Sequence, residues 1–419
     1  MIVVLIVVFF GLLALSVPVG HVLMIASGAA VASSGTLPLM IVAQQMFQQT
    51  QSFPMLALPF FILAGSLMMS GQLGQNLIDF ATTLVQRFRG GLASVTVVGS
   101  AVFGGVSGSA VSDATALGSM LIPWQKREGY PAAFVAANNS AAATIAILIP
   151  PSIPLILYSV VSGVSIGALF VAGVLPGVAL TIAFVLVCNL SARLRSFPHE
   201  KVPFQWDRFM PLFLRASPAL LMPIMILVLL RFGIATPTEV SVLAVFYSLI
   251  AGVVLYRDMT WRRFGEAVIS AGVATGVVML VIMASAAVGW IMTFVQAPQL
   301  FAQWCIETLQ APWLIILAMI GIMLVTGMFI DLPAAILLLG PIFVPLAQAI
   351  GLDLLQLGIV MVLTLALGLY TPPVGTTLFI SSSIARVSIL QASRELLPYY
   401  VAALTVVLLF SYVPFLTLH

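Results

Sequence analysis

The sequence predicts an all-α polytopic membrane protein, and three observations carry that prediction. The chain is 62% hydrophobic and 6% charged, with a mean hydropathy of +1.21. No Asp, Glu, Lys or Arg occurs in residues 1–78, 129–192 or 267–306. Those stretches hold apolar runs long enough to cross a bilayer, and a soluble domain needs far more charge on its surface. The runs also lack the alternation of a transmembrane β-barrel strand. The net charge of +3 resides in loops and forms no nucleic-acid footprint.

Helical segments are expected at 2–17, 19–34, 54–70, 130–148, 166–191, 211–231, 237–256, 264–292, 354–369 and 395–416. Two hairpins are expected at 92–122 and 314–348. Two short pieces, 152–162 and 374–385, follow proline pairs, and 37–53 and 72–88 read as interfacial or loop-like. Residues 1–17 carry no Lys or Arg and read as a retained first helix rather than a cleaved leader. Cys188 and Cys305 are isolated and build neither a disulfide framework nor a metal site. His21, His199 and His419 are too scattered to form a cluster. Thr236-Pro237-Thr238-Glu239 reads as an N-cap, a proline at the first helical position and a capping-box glutamate. Arg231 reads as a snorkelling residue at the membrane surface.

Residues 105–166 and 327–388 share punctuation at one ungapped offset of 222. Gly105 matches Gly327, Gly118 matches Gly340, Pro123 matches Pro345, Gly129 matches Gly351, and Pro150-Pro151 matches Pro372-Pro373. These are six identities in 62 positions, where 32 Gly and 25 Pro in 419 residues lead one to expect about 0.6. Paired Gly/Pro interruptions in an apolar chain mark the binding site of a secondary transporter.

Lys and Arg set the orientation. The loop 193–215 holds Arg193, Arg195, Lys201, Arg208 and Arg215, and a second cluster is Arg257, Arg262 and Arg263. Both are expected in the cytoplasm. Arg87/Arg89, Lys126/Arg127 and Arg386/Arg394 face the uncharged Leu309/Ala311, Gln348/Ala349 and Val164/Ala172 at the same offset. That asymmetry predicts two repeats of inverted topology, residues 1–200 and 201–419. Each has a re-entrant helical hairpin (92–122, 314–348) and a broken helix (130–162, 354–385).

Asp113 and Asp331 are the ionisable residues left in apolar segments, and an intramembrane carboxylate marks an ion path or substrate site. Asp331 aligns with Ser109, and Asp113 lies one helical turn later. Each also suits a cap on the second hairpin arm. The run Gly104–Ser112 is flexible and polar, and its unwound carbonyls and hydroxyls suit a small hard cation. Its other reading is a small-residue packing face. Two consecutive prolines end a helix at Ile149-Pro150-Pro151-Ser152 and at Thr371-Pro372-Pro373-Val374-Gly375-Thr376-Thr377. Asn138 and Asn139, before the first break, read as ligand amides or as interhelical glue. No GxxxxGK[ST] motif is present.

The runs GGVSGSAVSDATALGSMLIP, GYPAAFVAANNSAAATIAILIPPSIPLILYSVVSGVSIGALFVAGVLPG, GMFIDLPAAILLLGPIFVPL and TPPVGTTLFISSSIA occur in order along the chain. Together they closely resemble the large membrane subunit of tripartite ATP-independent periplasmic (TRAP) transporters, across nearly the whole chain. The resemblance implies an elevator-type, Na⁺-coupled importer of organic acids in a bacterial inner membrane, and not an enzyme. It implies a small four-helix membrane subunit on a separate chain and a periplasmic substrate-binding protein. The solute it implies is a C4-dicarboxylate, a sialic acid or another carboxylate. One cation site would use Ser107, Gly108, Ser109 and Asp113 with Ile149 and Ser152. The other would use Gly327, Asp331, Gly368, Thr371, Val374 and Gly375. The anion would sit near Ser107, Ser109, Asn138, Asn139, Ser152, Thr376 and Thr377. Two alternatives stay open: an ion-coupled transporter or antiporter without a binding protein, and an intramembrane enzyme using Asp113 and Asp331 as a dyad.

Overall fold

The computed structural model describes residues 1–51, 53–71, 73–197 and 206–417, so His199, Lys201 and His419 lie outside the described residues. The described residues form helices joined by short connections, with no strand among them. The first group is α1 (Ile2–Ala14), α2 (Val19–Ala32), α3 (Met40–Thr50), α4 (Ala57–Met69) and α5 (Leu73–Val85). Next come α6 (Gly91–Ser107), α7 (Ala110–Arg127), α8 (Ala132–Ala142), α9 (Ile153–Ser162) and α10 (Ile166–Leu194). The third group is α11 (Trp206–Arg231), α12 (Pro237–Ile250), α13 (Trp261–Phe294) and α14 (Ala297–Leu309). The last is α15 (Pro312–Phe329), α16 (Leu332–Ala349), α17 (Leu354–Gly368), α18 (Thr376–Ala385), α19 (Ile389–Glu395) and α20 (Leu397–Tyr412). Six helices among the described residues are long and apolar enough to cross a membrane.

Both expected hairpins are present, as α6–α7 and α15–α16. Each turns in two residues, Gly108-Ser109 and Ile330-Asp331. Ser109 and Asp331 occupy the same N-cap position, as the offset requires. The arms α7 and α16 begin and end 222 residues apart, and α8 and α17 begin 222 apart. Both proline pairs interrupt helices, and both Pro-Pro bonds are cis. The pieces that follow, α9 and α18, have ten residues each. At 1.5 Å per residue that is about 15 Å, half a hydrocarbon core.

The broken helices lie at the centre. Every residue of α17 from Leu355 to Gly368 is buried, as is every residue of α8 from Phe134 to Ala142. A helix enclosed on all sides has no polar face to present, which explains why the 3.6-residue pattern is absent there. The short pieces cross over: α9 packs on α16 and α17, and α18 packs on α7 and α8. Around them α13 packs on α2, α3, α4 and α16, while α5 packs on α6 and α11.

Two expectations need correction. Residues 37–53 and 72–88, expected as interfacial or loop-like, are largely helical, because α3 and α5 form there, which overturns the loop half of that expectation. In α5 the apolar Leu77, Ile78, Phe80, Ala81 and Val85 are buried on one face, with Asp79, Gln75 and Gln86 outside it. That amphipathic spacing fits a helix lying on α6 and α11, not a loop. Two helices had no counterpart in the sequence reading, α14 and α19. The capping box at Thr236–Glu239 forms: the Thr236 backbone N–H donates to Glu239 Oε2 at 2.7 Å, and the Glu239 N–H donates to Thr236 Oγ1 at 3.4 Å. Arg231 ends α11 and is exposed.

Contacts gather the basic loops at one end. Arg195 Nη1 lies 2.5 Å from Glu395 Oε2, and Lys126 Nζ donates to the Ala385 carbonyl at 2.8 Å. The Tyr130 and Phe197 rings stand 5.1 Å apart, and the Tyr256 hydroxyl donates to Arg215 O at 2.6 Å. Gln86, Trp124 and Arg208 line one surface groove. At the far end of α20 from Glu395, the Tyr412 hydroxyl donates to Trp313 O, at the base of the second hairpin, at 2.8 Å.

Candidate functional site

The two hairpin tips meet. One cavity of about 150 Å³ is lined by Gly108, Ser109, Ala110 and Val111 from the first tip and by Asp331, Leu332 and Pro333 from the second. Ile147, Ile153 and Pro154 at the first helix break, Leu369 at the second and Val278 of α13 complete it. Residues more than 200 positions apart thus share one space. Close backbone approach makes this possible. A Cβ at Gly108 (φ +58°) would strike the Pro151 carbonyl, and one at Gly104 would strike Ala146 Cα. At the second tip, a Cβ on Gly368 would strike the Gly327 carbonyl. Glycine is the residue that permits such crossings.

The two carboxylates have unequal settings. Asp113 is fully buried in the first turn of α7, where Ser107 Oγ donates to its Oδ1. Its Oδ2 is buried with no hydrogen-bond partner. Asp331 is exposed and faces the shared cavity. Its carboxylate lies by the Leu332 N–H without closing a capping hydrogen bond. Ser109, at the aligned position, does cap, accepting from Ser112 N at 3.4 Å. Asp113 is absent from the cavity lining, so only one of the two aspartates faces that space.

The remaining candidates sort by how fully their polar atoms are engaged. Ser152 donates to the Ile147 carbonyl and caps α9 by accepting from Leu155 N at 3.3 Å. Thr377 Oγ1 lies 2.8 Å from Leu369 O and 3.0 Å from Ser140 O, tying the second break to α8. Thr371 Oγ1 donates back to Leu367 O at 2.5 Å. Thr376 Oγ1 is buried with no partner, and Gly375 turns the chain at φ +45°. Val374 is exposed, and Ile149 packs beside Gly105 and Gly177. The oxygens near both tips are hydroxyls, carbonyls and carboxylates. That donor set fits a small hard cation such as Na⁺, and the orphaned Asp113 Oδ2 and Thr376 Oγ1 are unspent ligands of the right kind.

Asn138 takes the packing role. Its Nδ2 donates to Ala93 O at 2.9 Å, and its Oδ1 accepts from Tyr399 Oη at 3.0 Å and Cys188 Sγ at 3.3 Å. It lines neither the tip cavity nor the cleft beside it. Asn139 Nδ2 donates to Ala114 O at 3.0 Å and Ser381 Oγ at 2.8 Å, leaving its Oδ1 unpaired. Asn138→Ala is therefore expected to lower stability by about 1–3 kcal/mol, because it removes the buried hydrogen bonds to Ala93 O and from the Tyr399 hydroxyl. Thermal melts should fall while the ion dependence of the remaining folded protein stays within about twofold. A lost ion response with an unchanged melt would contradict this.

A second cleft opens from the tip cavity and shares Ser109, Ile153 and Val278 with it. Its volume is about 520 Å³, and it runs between α4, α13 and the first hairpin tip. Ser66 of α4 and Ser70 just past its end, Ser107 and Ser112 of the hairpin, and Glu266 and Ser270 of α13 line it. Ser112 ends the run Gly104–Ser112 that the sequence singles out, whereas Ser66 and Ser270 do not stand out in it. Their only signal is weak: Glu266, Ser270, Ala274 and Val278 fall at i, i+4 spacing on one helix face.

Comparison with known proteins agrees with this architecture. Residues 6–416 match the family described as tripartite ATP-independent periplasmic transporter, DctM component. The chain is 57% identical to an uncharacterized protein, y4mL, of Sinorhizobium fredii, with 100% of each chain covered. It is 34% identical to the C4-dicarboxylate TRAP transporter large permease protein DctM of Pseudomonas aeruginosa, covering 90% of this chain and 88% of that one. It is 36% identical to the isethionate TRAP transporter permease protein DctMQ of Oleidesulfovibrio alaskensis, covering 97% of this chain and 65% of that one. Its fold is similar to that of the Alcanivorax borkumensis YdaH transporter (TM-score 0.62, 16% identity, 90% and 86% of the two chains). With the family match spanning nearly the whole sequence, the chain belongs to the DctM family of large permease components of tripartite ATP-independent periplasmic transporters.

Proposed function

We propose that this permease takes up an organic acid across a bacterial inner membrane, driven by Na⁺. The observation that carries the reading is the convergence of two carboxylate-bearing hairpins and two broken helices on one small cavity. Intramembrane carboxylates, unwound backbone and half-helix N-termini are the parts from which transporters build ion and anion sites. The first cation site uses the Ser107–Ser109 turn, Asp113 and carbonyls near Ile149 and Ser152. The second uses Gly327, Asp331 and the Gly368–Gly375 break. A substrate anion brings negative charge into a low-dielectric space, and bound Na⁺ offsets it so that the loaded site can move.

Two repeats, residues 1–200 and 201–419, of inverted topology fit the matching helix boundaries. In this reading the first hairpin has its base at the basic, cytoplasmic end and the second at the other, which the Tyr412–Trp313 contact supports. An elevator motion of the hairpins and broken helices against α4 and α13 follows from that reading. Uptake also involves a periplasmic binding protein and a small membrane subunit. The DctMQ name and that relative's greater length support a second membrane component.

The test is uptake of a radiolabelled acid by liposomes holding this chain with its membrane partner, with the binding protein outside. Uptake should require an inward Na⁺ gradient and the binding protein, and no nucleotide. Equal uptake with choline in place of Na⁺ would overturn the coupling. Uptake without the binding protein would favour a stand-alone transporter.

A further inference from the structure

We infer that the solute is a polyhydroxy monocarboxylate, a sugar acid, rather than a dicarboxylate dianion. The inference rests on the organic-acid reading above and narrows it. Three serines carry it: Ser66 on α4, Ser112 on α7 and Ser270 on α13 face one cleft. Among the described residues none of the three hydroxyls makes an intramolecular hydrogen bond. Ser100, Ser285 and Ser382 also lack a partner, but each is buried and lines neither cavity. Ser27, Ser70, Ser119, Ser140, Ser217 and Ser248 each donate back to a carbonyl of the preceding turn. Three hydroxyls on three separate helices are thus left uncommitted toward one space contiguous with the tip cavity.

A serine hydroxyl both donates and accepts, and so does a sugar hydroxyl, whereas a carboxylate only accepts. The charges of the cleft argue in the same direction. Its described lining contains no Lys, Arg or His, and its one charged side chain is Glu266. Glu266 is held by Arg262, whose Nε lies 2.9 Å from Oε1. Asp331 adds a further carboxylate in the adjoining cavity. One substrate carboxylate at the tips can be balanced by the cations proposed there. A second carboxylate reaching into the cleft would meet Glu266 and, among the described residues, only the Arg262 already paired with it. The cleft is also long. Ser270 lies eight residues from Val278, about 12 Å along α13. A short diacid seated at the tips leaves Ser270 and its neighbours unused, while a longer hydroxylated chain reaches toward them.

The experiment uses this chain purified with its membrane partner in lipid nanodiscs. Thermal melts are recorded in NaCl and in choline chloride with gluconate, glucuronate, N-acetylneuraminate, succinate, malate and hexanoate. At least one of the three polyhydroxy acids should raise the melting temperature saturably in NaCl. Ser66→Ala, Ser112→Ala and Ser270→Ala should each raise its half-saturating concentration about 2- to 12-fold, the worth of one net hydrogen bond. The apo melts of these variants should not move, since no internal bond is lost. Tighter binding of succinate or malate than of every polyhydroxy acid overturns the inference and leaves the organic-acid reading standing. So does binding unaffected by all three alanines. Binding of no acid in either salt strikes the organic-acid reading and this inference with it.

Discussion

Asp331→Asn weakens Na⁺-dependent uptake without unfolding the protein. The substitution keeps the side-chain volume and one acceptor oxygen but deletes the charge. Asp331 faces the tip cavity and closes no capping bond, and the asparagine oxygen can still accept from the nearby Leu332 N–H. A contact to a charged partner contributes about 1.5–3 kcal/mol, so the half-saturating Na⁺ concentration should rise about 10- to 100-fold. Measuring initial uptake against external Na⁺ at constant ionic strength reads this directly. The melting temperature without Na⁺ should match the parent, and the stabilisation on adding Na⁺ should shrink. If the Na⁺ curve of the asparagine variant overlays that of the parent, Asp331 is not a cation ligand and its place at the cavity is incidental.

Much of this site is legible in the sequence because its parts are interruptions. Pro150-Pro151 and Pro372-Pro373 cannot continue a helix, and the structure breaks at both. Asp331 and Ser109 align at offset 222, and both prove to be N-caps of the second hairpin arm. What the sequence conceals is convergence. Nothing local shows that Ser66, Ser112 and Ser270 share a cleft, because they lie on three helices far apart in the chain. Asn138 and Asn139 look alike in sequence, yet only Asn139 keeps a free amide oxygen. The helices α8 and α17 are buried on every face, so periodicity is silent about which face meets what. The helices α3 and α5 are polar enough to resemble loops, and their helical identity comes from packing on α13, α6 and α11.

Gly368→Ala tests the crossing on which the second half of the site depends. Gly368 ends α17 just before the second break, and its Cα lies against the backbone of Gly327 near the hairpin tip. A Cβ there would run into the Gly327 carbonyl, carbon and Cα, which are backbone atoms and cannot swing aside. Gly327 is equally confined, since a Cβ on it would lie 3.2 Å from Leu365 O and 3.3 Å from Gly368 Cα. The methyl must push the hairpin arm off the broken helix, and Asp331, four residues past Gly327, moves with it. Overpacking of this kind costs about 1–3 kcal/mol and sometimes more. The expected result is a lower melting temperature and loss of uptake in liposomes at equal protein. Gly321→Ala is the matched control in the same arm: no atom lies within 4 Å of its added Cβ, and alanine is the better helix former. That variant should transport as the parent does. Transport at the parental rate by Gly368→Ala would mean that the tip tolerates displacement, and the tip cavity would then lose its standing as the ion and substrate site.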